Sequence, residues 1–286
     1  PRAAAIHDLA GFGRTSLSVV MPILSAMGVQ VCALPTAVLS TDTAYFEGYH
    51  FVDLTEEMPG IIDHWKSLNI SFDAIYSGFL GSPKQVDIVA GFIDHFSQAD
   101  QLVVVDPVLG DNGQPYPTMG PEMMEGMRRL VGQADLITPN FTEAAFLLKT
   151  SIPSSIDEEG LKDWTRRLSQ AGPRRVVITS VPVAEERKVS SVVAFDSQDG
   201  RLWKVDCSYI PAQYPGTGDI FASVIVGSLL QGDSLPIALD RAVQFVSMAI
   251  RSTFGYNYPD REGVLLEKVL PNLTAPVTSS SYEILE

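Results

Sequence analysis

The sequence predicts an α/β protein with a mostly parallel central sheet and an antiparallel hairpin at an edge of that sheet. Two observations lead to this prediction. Short apolar runs rich in Val and Ile alternate along the chain with longer segments of helical period, which is typical of parallel sheets whose strands are joined by helices. Two apolar runs, residues 189–195 and 201–207, are separated by a short segment ending in Asp199-Gly200, which favours a hairpin.

The first elements can be placed from the spacing of apolar residues. Residues 2–6 predict the first strand. From residue 15 to residue 27, apolar side chains recur at intervals of three and four, and Gly28 follows, so we expect an amphipathic helix that ends at this glycine. Further strands are predicted at residues 29–34, 74–77, 102–106, 136–138 and 175–179.

Helix signals are clearest between the middle strands. Ser82 is a suitable N-cap and Pro83 suits the first helical position, so a helix is predicted over residues 83–96. Two later helices are predicted at residues 220–230 and 236–253. Aromatic and polar residues at 45–53 predict a short strand pair or a flap beside the sheet. After residue 270 the chain is rich in Pro, Thr and Ser, so we expect one domain, residues 1–270, and a loosely held polar tail, residues 271–286.

The acidic composition excludes several classes of function. The chain has 286 residues with 34 Asp or Glu against 20 Lys or Arg, and its formal net charge is −14. Nucleic acids and anionic membranes are bound by clustered basic residues, so we expect neither as a partner. No apolar run reaches 18 residues and no signal-peptide pattern opens the chain, so we expect a cytoplasmic protein. The two cysteines, Cys32 and Cys207, fit a reducing compartment, and one disulfide between them is the alternative.

The most informative motif is Pro215-Gly216-Thr217-Gly218-Asp219, directly before a predicted apolar helix. Glycines allow backbone N–H groups to converge, and a helix N-terminus adds partial positive charge, so this segment predicts an anion site. Asp219 has two interpretations. It caps its helix, as first-turn Asp residues often do, or it is ionised at neutral pH and accepts the proton of an alcohol that attacks a phosphoryl group.

Two further polar loops follow apolar strands. Asp106 and Asp111 follow the strand at 102–106, where two carboxylates can hold Mg²⁺. Thr138, Asn140 and Glu143 follow the strand at 136–138 and open a helix. Each loop alone is explained as a turn or a helix cap. Together with the glycine-rich segment, they predict polar side chains along one edge of one sheet. No GxxxxGK[ST] segment occurs, which excludes a P-loop kinase.

This combination resembles the ribokinase-like superfamily and, within it, the vitamin B6 (pyridoxal, pyridoxine and pyridoxamine) kinases, over residues 6–253. Four segments match the family in its order: Asp-Pro-Val-Leu-Gly-Asp at 106–111, Thr-Pro-Asn-Phe-Thr-Glu at 138–143, Val-Val-Ile-Thr-Ser at 176–180 and Gly-Thr-Gly-Asp at 216–219. Residues 34–40 are similar to the substrate-side strand and loop that separate these enzymes from sugar kinases. The resemblance implies a three-layer α/β/α sandwich, phosphorylation of the vitamin's 5′-hydroxyl by ATP, and a homodimer.

The resemblance also implies roles for individual residues. Asp219 would be the general base, and the backbone of Gly216, Thr217, Gly218 and Asp219 the anion hole. MgATP would be surrounded by Asp106, Asp111, Thr138, Asn140, Glu143, Thr179, Ser180 and Thr217. Asp106 and Glu143 would lie nearest the metal ions, and K⁺ or Na⁺ would assist. The vitamin would be contacted by Asp8, Ser40, Thr43, Phe79 and Asp219. Residues 111–118 would form a mobile cover over ATP.

One position departs from the family pattern. Many vitamin B6 kinases carry Ser shortly after the first strand to bond the pyridine ring, whereas this chain has Asp8. An ionised Asp can pair with a protonated ring nitrogen, while Ser shares only a neutral hydrogen bond. The neighbouring His7 is the alternative contact, unless it is a partly buried histidine bonded to the backbone.

Three rival functions are weighed against this one. Gly11-Phe12-Gly13 between a strand and a helix resembles the start of the G-x-G-x-x-G motif of dinucleotide-dependent oxidoreductases. However, Ser16 occupies the position of the third glycine, and Pro35-Thr36 lies where that motif expects an acidic residue. A hydroxymethylpyrimidine kinase of the same superfamily typically carries Cys-Gly-Thr-Gly-Cys at the late motif, which this chain lacks. A non-catalytic binding protein of the same fold is the third, and the intact Asp219 speaks against it.

Overall fold

The structure, a computed structural model, describes residues 1–182, 189–208, 210–275 and 281–285. Twelve strands lie within these residues. In chain order they are β1 (Arg2–Phe12), β2 (Gln30–Thr41), β3 (Phe51–Asp53), β4 (Ala74–Ser77), β5 (Leu102–Val105), β6 (Gly110–Asp111), β7 (Gln114–Pro115), β8 (Leu136–Ile137), β9 (Arg175–Pro182), β10 (Val189–Asp196), β11 (Arg201–Ser208) and β12 (Tyr282–Leu285).

Helices connect most of these strands. Within the described ranges they are α1 (Leu17–Ala26), α2 (Met58–Ser67), α3 (Pro83–Phe96), α4 (Pro121–Val131), α5 (Phe141–Leu148), α6 (Glu158–Gln170), α7 (Thr217–Leu230), α8 (Leu235–Phe254) and α9 (Leu266–Val269). Short 3-10 turns lie at Asp260–Glu262 and Leu270–Thr274. None of the described helices combines the length and the apolar character needed to cross a membrane.

The centre of the molecule is a mostly parallel sheet. Among the described residues, ten strands are ordered β12-β11-β10-β9-β8-β5-β4-β1-β2-β3, and β6 pairs with β7 separately. The run from β9 to β2 is parallel, while β3 and the strands from β10 to β12 are antiparallel to their neighbours. The predicted fold class is confirmed.

Two hydrophobic cores make the fold a three-layer sandwich. On one face, apolar side chains of the parallel strands pack against α1, α7 and α8. On the other face, they pack against α2, α3, α4, α5 and α6. Successive strand residues point to opposite faces, so Ala5 and Ile6 of β1 enter different cores. With both faces covered, the carboxyl ends of the parallel strands remain available to ligands.

Some elements have the bounds that the sequence predicts, whereas others are longer than predicted. The predicted strand Ala74–Ser77 and the helix Pro83–Phe96 are found with those bounds, and the Ser82 hydroxyl accepts the N–H of Gln85 as predicted for an N-cap. β1 and β2 are longer than the predicted 2–6 and 29–34, because beyond those points the two strands continue to pair with each other. Phe51–Asp53 pairs with β2, so residues 45–53 hold one strand of the expected pair.

The end of the chain differs from the expected loose tail. Tyr282–Leu285 pairs antiparallel with β11 and becomes the edge of the sheet, so the predicted hairpin β10–β11 lies one strand inside that edge. The hydroxyl of Ser281 donates to the buried Asp240 of α8 at 2.7 Å, which fixes the start of the strand. A bare edge strand offers unpaired N–H and C=O groups, and pairing with β12 satisfies those of β11. Residues 276–280 and 286 lie outside the described residues.

Candidate active site

A cavity of about 870 Å³ opens at the carboxyl ends of the parallel strands. The residues that follow β5 and β8, the end of β9 and the N-terminus of α7 all contribute to its wall. The three polar loops singled out in the sequence therefore meet at one edge of the sheet, as predicted.

The glycine-rich segment forms the N-terminus of α7 within this cavity. Gly216 is the N-cap residue and has a φ of 78°, a left-handed conformation that favours glycine. A Cβ atom at this position would lie 1.9 Å from the backbone oxygen of Arg14. The turn before α1 therefore packs directly on the glycine, and only glycine fits. The first N–H groups of a helix have no acceptor within it, so Thr217, Gly218 and Asp219 offer donors to an anion.

Asp219 lies in the first turn of α7 and contacts the start of α1. Its Oδ2 accepts the backbone N–H of Ser16 at 2.9 Å. Ser16 is the N-cap of α1 and has a φ of 51°, which is uncommon for a residue other than glycine. Burial raises the pKa of the Asp219 carboxyl to about 7, the negative charge of Asp8 raises it further, and the Ser16 N–H partly offsets the rise. The carboxyl is thus poised to exchange a proton near neutral pH.

Asp106 and Glu143 form a second acidic pair in the wall. Burial raises the pKa of Asp106 to about 8, and repulsion by Asp219 contributes. Burial, and then repulsion by Asp106, raises the pKa of Glu143 above its ordinary range. Such carboxyls gain from a bound cation, because a cation offsets both their desolvation and their mutual repulsion.

The hydrogen bonds of Glu143 determine how its carboxylate could contact a metal ion. Its Oε2 accepts the N–H of Asn140 at 2.8 Å and its Oε1 accepts the N–H of Leu109 at 3.0 Å. Asn140 Oδ1 in turn accepts the N–H of Glu143 at 2.9 Å, which completes a capping box at the start of α5. Both carboxylate oxygens of Glu143 therefore hold the two loops together.

Mg²⁺ fits this arrangement as a partly hydrated ion. In proteins it is commonly bound through one or two carboxylates, several waters and the phosphates of a substrate. Asp106 can supply such a carboxylate, while Glu143, whose oxygens are bonded to amides, suits a contact through water. Across the described ranges, no group of three or more His, Cys, Asp or Glu residues could hold a metal ion without such help.

The other residues predicted to surround a nucleotide also line the cavity. Asp111 follows on β6 and its Oδ2 accepts the side-chain N–H of Gln213 at 3.2 Å. Thr179 forms a bridge with Asn140, and Ser180 has a φ of 56°. Thr138 and Thr217 complete the predicted set. Sequence reasoning missed an apolar part of the wall, contributed by Val192, Cys207, Ile210, Val243, Val246 and Ile250. Both cysteines are free, so the alternative disulfide is absent.

The residues predicted to contact the substrate line the cavity, with one exception. Asp8, Thr43 and Phe79 line the cavity together with Asp219. Ser40 is exposed and is not among the lining residues, because its hydroxyl accepts the backbone N–H of His50 at 2.8 Å across β2 and the segment before β3. The structure therefore does not bring Ser40 to the other site residues.

His7 lies behind the cavity rather than in its wall. The side chain is fully buried, its ring centroid is 4.4 Å from that of Tyr76, and a Cβ on Gly78 would meet its Nδ1 at 2.2 Å. Burial lowers its pKa to about 3, so it is neutral. Of the two alternatives, Asp8 is the one that reaches the cavity.

Several cavity residues carried no recognisable signal in the sequence. They are Thr15, Ser16, Asp42, Tyr45 and Tyr116. Asp42 and Tyr45 flank Thr43 and Ala44, so the spacing of the predicted Thr43 could have drawn attention to them. The sequence pattern predicts a helix from residue 15, whereas α1 begins at Leu17 and Thr15 and Ser16 form the turn ahead of it, with Ser16 in a left-handed conformation.

Comparison with known proteins identifies the family. A family model described as phosphomethylpyrimidine kinase matches residues 22–262 of the chain. The chain belongs to this family. A Bacteroides thetaiotaomicron protein described as a phosphomethylpyrimidine kinase, in a crystal form with pyridoxal, is 57% identical, with a TM-score of 0.96 and 99% of both chains covered. The chain is also similar to pyridoxal kinase from Lactobacillus plantarum, which is 34% identical, with a TM-score of 0.87, 95% of this chain and 96% of that chain covered.

Curated relatives agree with the structural neighbours. A pyridoxine/pyridoxal/pyridoxamine kinase from Bordetella avium is 29% identical over 262 residues, 85% of this chain and 82% of its own length. The identification of the chain as a kinase of the pyridoxal kinase group is confirmed at the level of the family. The dinucleotide-dependent oxidoreductase is accordingly set aside.

Proposed function

We propose that the protein transfers the γ-phosphoryl group of ATP to the 5′-hydroxyl of pyridoxal, pyridoxine or pyridoxamine. The observation that carries the proposal is the position of Asp219, a buried carboxyl with its pKa raised to about 7, in the first turn of α7 and in the cavity wall. This position suits phosphoryl transfer, since catalysis of it is largely positioning and stabilisation of charge.

Each part of the site has a role in this proposal. Asp219 accepts the proton of the 5′-hydroxyl as that oxygen attacks the γ-phosphorus of ATP, the bond between this phosphorus and the β–γ bridging oxygen breaks, and ADP leaves. The N–H groups of Thr217, Gly218 and Asp219 bind the oxygens of the migrating group, and the dipole of α7 adds positive potential. A bound Mg²⁺ would neutralise charge on the phosphates. Asp106 would hold that ion directly, and Glu143 would hold it through water while it fixes the loop before α5.

The hydrogen bond from Ser16 orients the base. Because the N–H of Ser16 donates to Oδ2 of Asp219, the other carboxylate oxygen is left to face the incoming hydroxyl. The same bond favours the ionised form of Asp219, which is the form that can accept a proton. The start of α1 thus contributes to the chemistry although no motif marks it.

The two ends of the cavity suggest where each substrate binds. The apolar wall around Val192, Ile210 and Val246 suits a purine, while Asp8, Thr43 and Phe79 suit a polar aromatic ring on the far side of Asp219. The 57% identical Bacteroides protein was crystallised with pyridoxal, which supports a vitamin B6 compound as a substrate of this site. We place Asp111 and residues 112–118 over the nucleotide as a cover, since β6 and β7 form a separate small hairpin beside the cavity.

A second candidate is phosphorylation of hydroxymethylpyrimidine. It is favoured by the description of the matching family, phosphomethylpyrimidine kinase, and by a 26% identical thiamine biosynthesis protein from Geobacter sulfurreducens. The late motif lacks the cysteines typical of those enzymes, which favours vitamin B6 as the main substrate.

A substrate panel separates the candidates. ADP release would be measured with MgATP and, in turn, the three B6 vitamers, hydroxymethylpyrimidine and ribose. We expect the highest kcat/KM with a B6 vitamer. Higher kcat/KM with hydroxymethylpyrimidine would replace the first proposal by the second, and ADP release with neither would refute both. The homodimer and the assisting K⁺ or Na⁺ stay predictions, which light scattering and assays in each salt can test.

A further inference from the structure

The substrate end of the cavity holds two buried carboxylates, of which the sequence pointed to only one. Asp8 is 6% exposed and Asp42 is 9% exposed, and both line the cavity. Oδ1 of Asp42 accepts the N–H groups of Ala44 and Tyr45 at 2.9 and 2.8 Å, which fixes the side chain. Its Oδ2 is buried and has no hydrogen-bond partner among the described residues. Burial raises the pKa of Asp8 to about 6, a hydrogen bond with the Ser16 side chain partly offsets this rise, and the negative charge of Asp42 adds to it.

Within the part of the chain that the structure describes, no basic side chain in the cavity wall balances this negative charge. Among the described residues that line the cavity there is no Lys, Arg or His. The nearest candidate in sequence, Arg14, is committed elsewhere: its Nε lies 3.0 and 3.1 Å from the carboxylate oxygens of Glu267, and its Nη1 donates to the hydroxyl of Tyr258 at 2.8 Å. His7 is buried and neutral. Asp219 also interacts with Asp8 and adds negative charge.

A buried carboxylate oxygen without a partner, such as Oδ2 of Asp42, is costly, and a cationic ligand removes that cost. A hydroxyl donor lies at the same end. Thr15 is 8% exposed, lines the cavity, and its Oγ1 has no hydrogen-bond partner among the described residues. A ring that carries N⁺–H on one side and an oxygen anion on another would satisfy both kinds of group, the carboxylates with its N–H and the hydroxyl with its oxygen.

We propose that Asp8 and Asp42 together select the ring-protonated, pyridinium form of the substrate, so that the charge of the ring decides which heterocycles this site accepts. This inference rests on the proposed function, because it assumes that the aromatic substrate binds at the Asp8 end. Its consequence is a preference for hydroxypyridines over uncharged rings of the same shape.

The test reads the protonation state of the bound ring directly. Pyridoxine is titrated into the enzyme without ATP, at a pH above the pKa of its ring nitrogen, where the free ligand has lost the ring proton. The ultraviolet spectrum of a 3-hydroxypyridine distinguishes a ring with a protonated nitrogen from a ring whose nitrogen has lost its proton. We expect the bound ligand to show the protonated spectrum. We also expect the carbocyclic analogue, with C–H in place of the ring nitrogen, to bind about 10- to 100-fold more weakly.

Two isosteric variants locate the effect. Asp8→Asn should abolish the protonated spectrum and weaken pyridoxine binding about 10- to 100-fold, with little change for the carbocyclic analogue. Asp42→Asn keeps an acceptor for the N–H groups of Ala44 and Tyr45, so it should fold and show a smaller loss. Asp260→Asn is the matched control, because Asp260 lies on a different loop of the same cavity. It should keep the wild-type spectrum, and circular dichroism confirms the fold of each variant.

The outcomes separate this inference from the proposed function. A neutral bound ring in the wild type, or equal affinity for the carbocyclic analogue, overturns the inference even if pyridoxine is phosphorylated when MgATP is added. A protonated bound ring that is not phosphorylated with MgATP supports the inference and refutes the proposed function. Absence of any pyridoxine binding overturns both.

Discussion

Replacing Asp219 by Asn removes the proposed base while it preserves the size of the side chain. The amide oxygen can still accept the N–H of Ser16, which lies 2.9 Å from Oδ2, so the junction of α1 and α7 keeps its bond. A positioned base contributes about 10²- to 10⁴-fold to the rate. We therefore expect kcat to fall by that factor, which is about 3–5 kcal/mol of activation free energy. ATP binding should persist or tighten, since one negative charge is removed beside the phosphates.

Two measurements check this prediction. Steady-state ADP release with a B6 vitamer gives kcat, and equilibrium binding of MgATP gives Kd. In the wild type, kcat/KM should fall as the pH decreases through about 7, because protonated Asp219 cannot accept a proton, and the variant should lose this dependence. Asp240→Asn is the control, since Asp240 is a buried carboxylate of α8 outside the cavity wall. Wild-type kcat in Asp219→Asn would refute the assignment of the base.

The remaining predictions concern stability. Gly216→Ala should lower the free energy of unfolding by more than about 1 kcal/mol, since its Cβ would meet the Arg14 oxygen at 1.9 Å in a left-handed conformation; unchanged Tm would contradict this. Asn140→Ala removes the N-cap of α5 and should lower the free energy of unfolding, measured in urea, by about 0.5–2 kcal/mol; an unchanged free energy of unfolding would contradict a stabilising cap. The pKa of Asp106 is raised to about 8, so its contribution to stability is largest in acid and is lost as the pH rises through 8. Without Mg²⁺, Tm should decrease as the pH rises toward 8, and added Mg²⁺ should reduce this decrease. A Tm that does not change with pH would contradict the raised pKa of Asp106.

The fold and the polar loops at the carboxyl ends of the strands could be predicted because their signals are local. Alternating strands and helices, a glycine-rich turn before an apolar helix, and Asn140 three residues before Glu143 are all visible within short windows of sequence. Each is confirmed as structure: the parallel sheet, the N-terminus of α7 and a helix cap at the start of α5, where Asn140 and Glu143 form a capping box that was not predicted.

The wall around Asp8 could be predicted only in part. The family resemblance implied Asp8, Thr43 and Phe79, which line the cavity, but it did not imply Asp42, because long-range pairing determines this part of the wall. β1 and β2 extend past the rest of the parallel sheet and pair with each other, which brings Asp8 and Asp42 to one wall although 34 residues separate them. Ser40, only two residues from Asp42, lies outside the cavity since its hydroxyl bonds the segment before β3. Residue type and spacing do not distinguish these neighbours, whereas strand register does.

The contact of Ser16 with Asp219 joins positions 203 residues apart in the chain. Neither terminal half of the polypeptide can orient this carboxylate alone. If the chain were cut between α1 and α7, one fragment would contain Ser16 and the other Asp219. Activity would return only when the two fragments reassemble. Local unfolding of β1 and α1 would also abolish activity while most of the sheet stayed folded. On heating, activity should therefore be lost before most of the secondary structure.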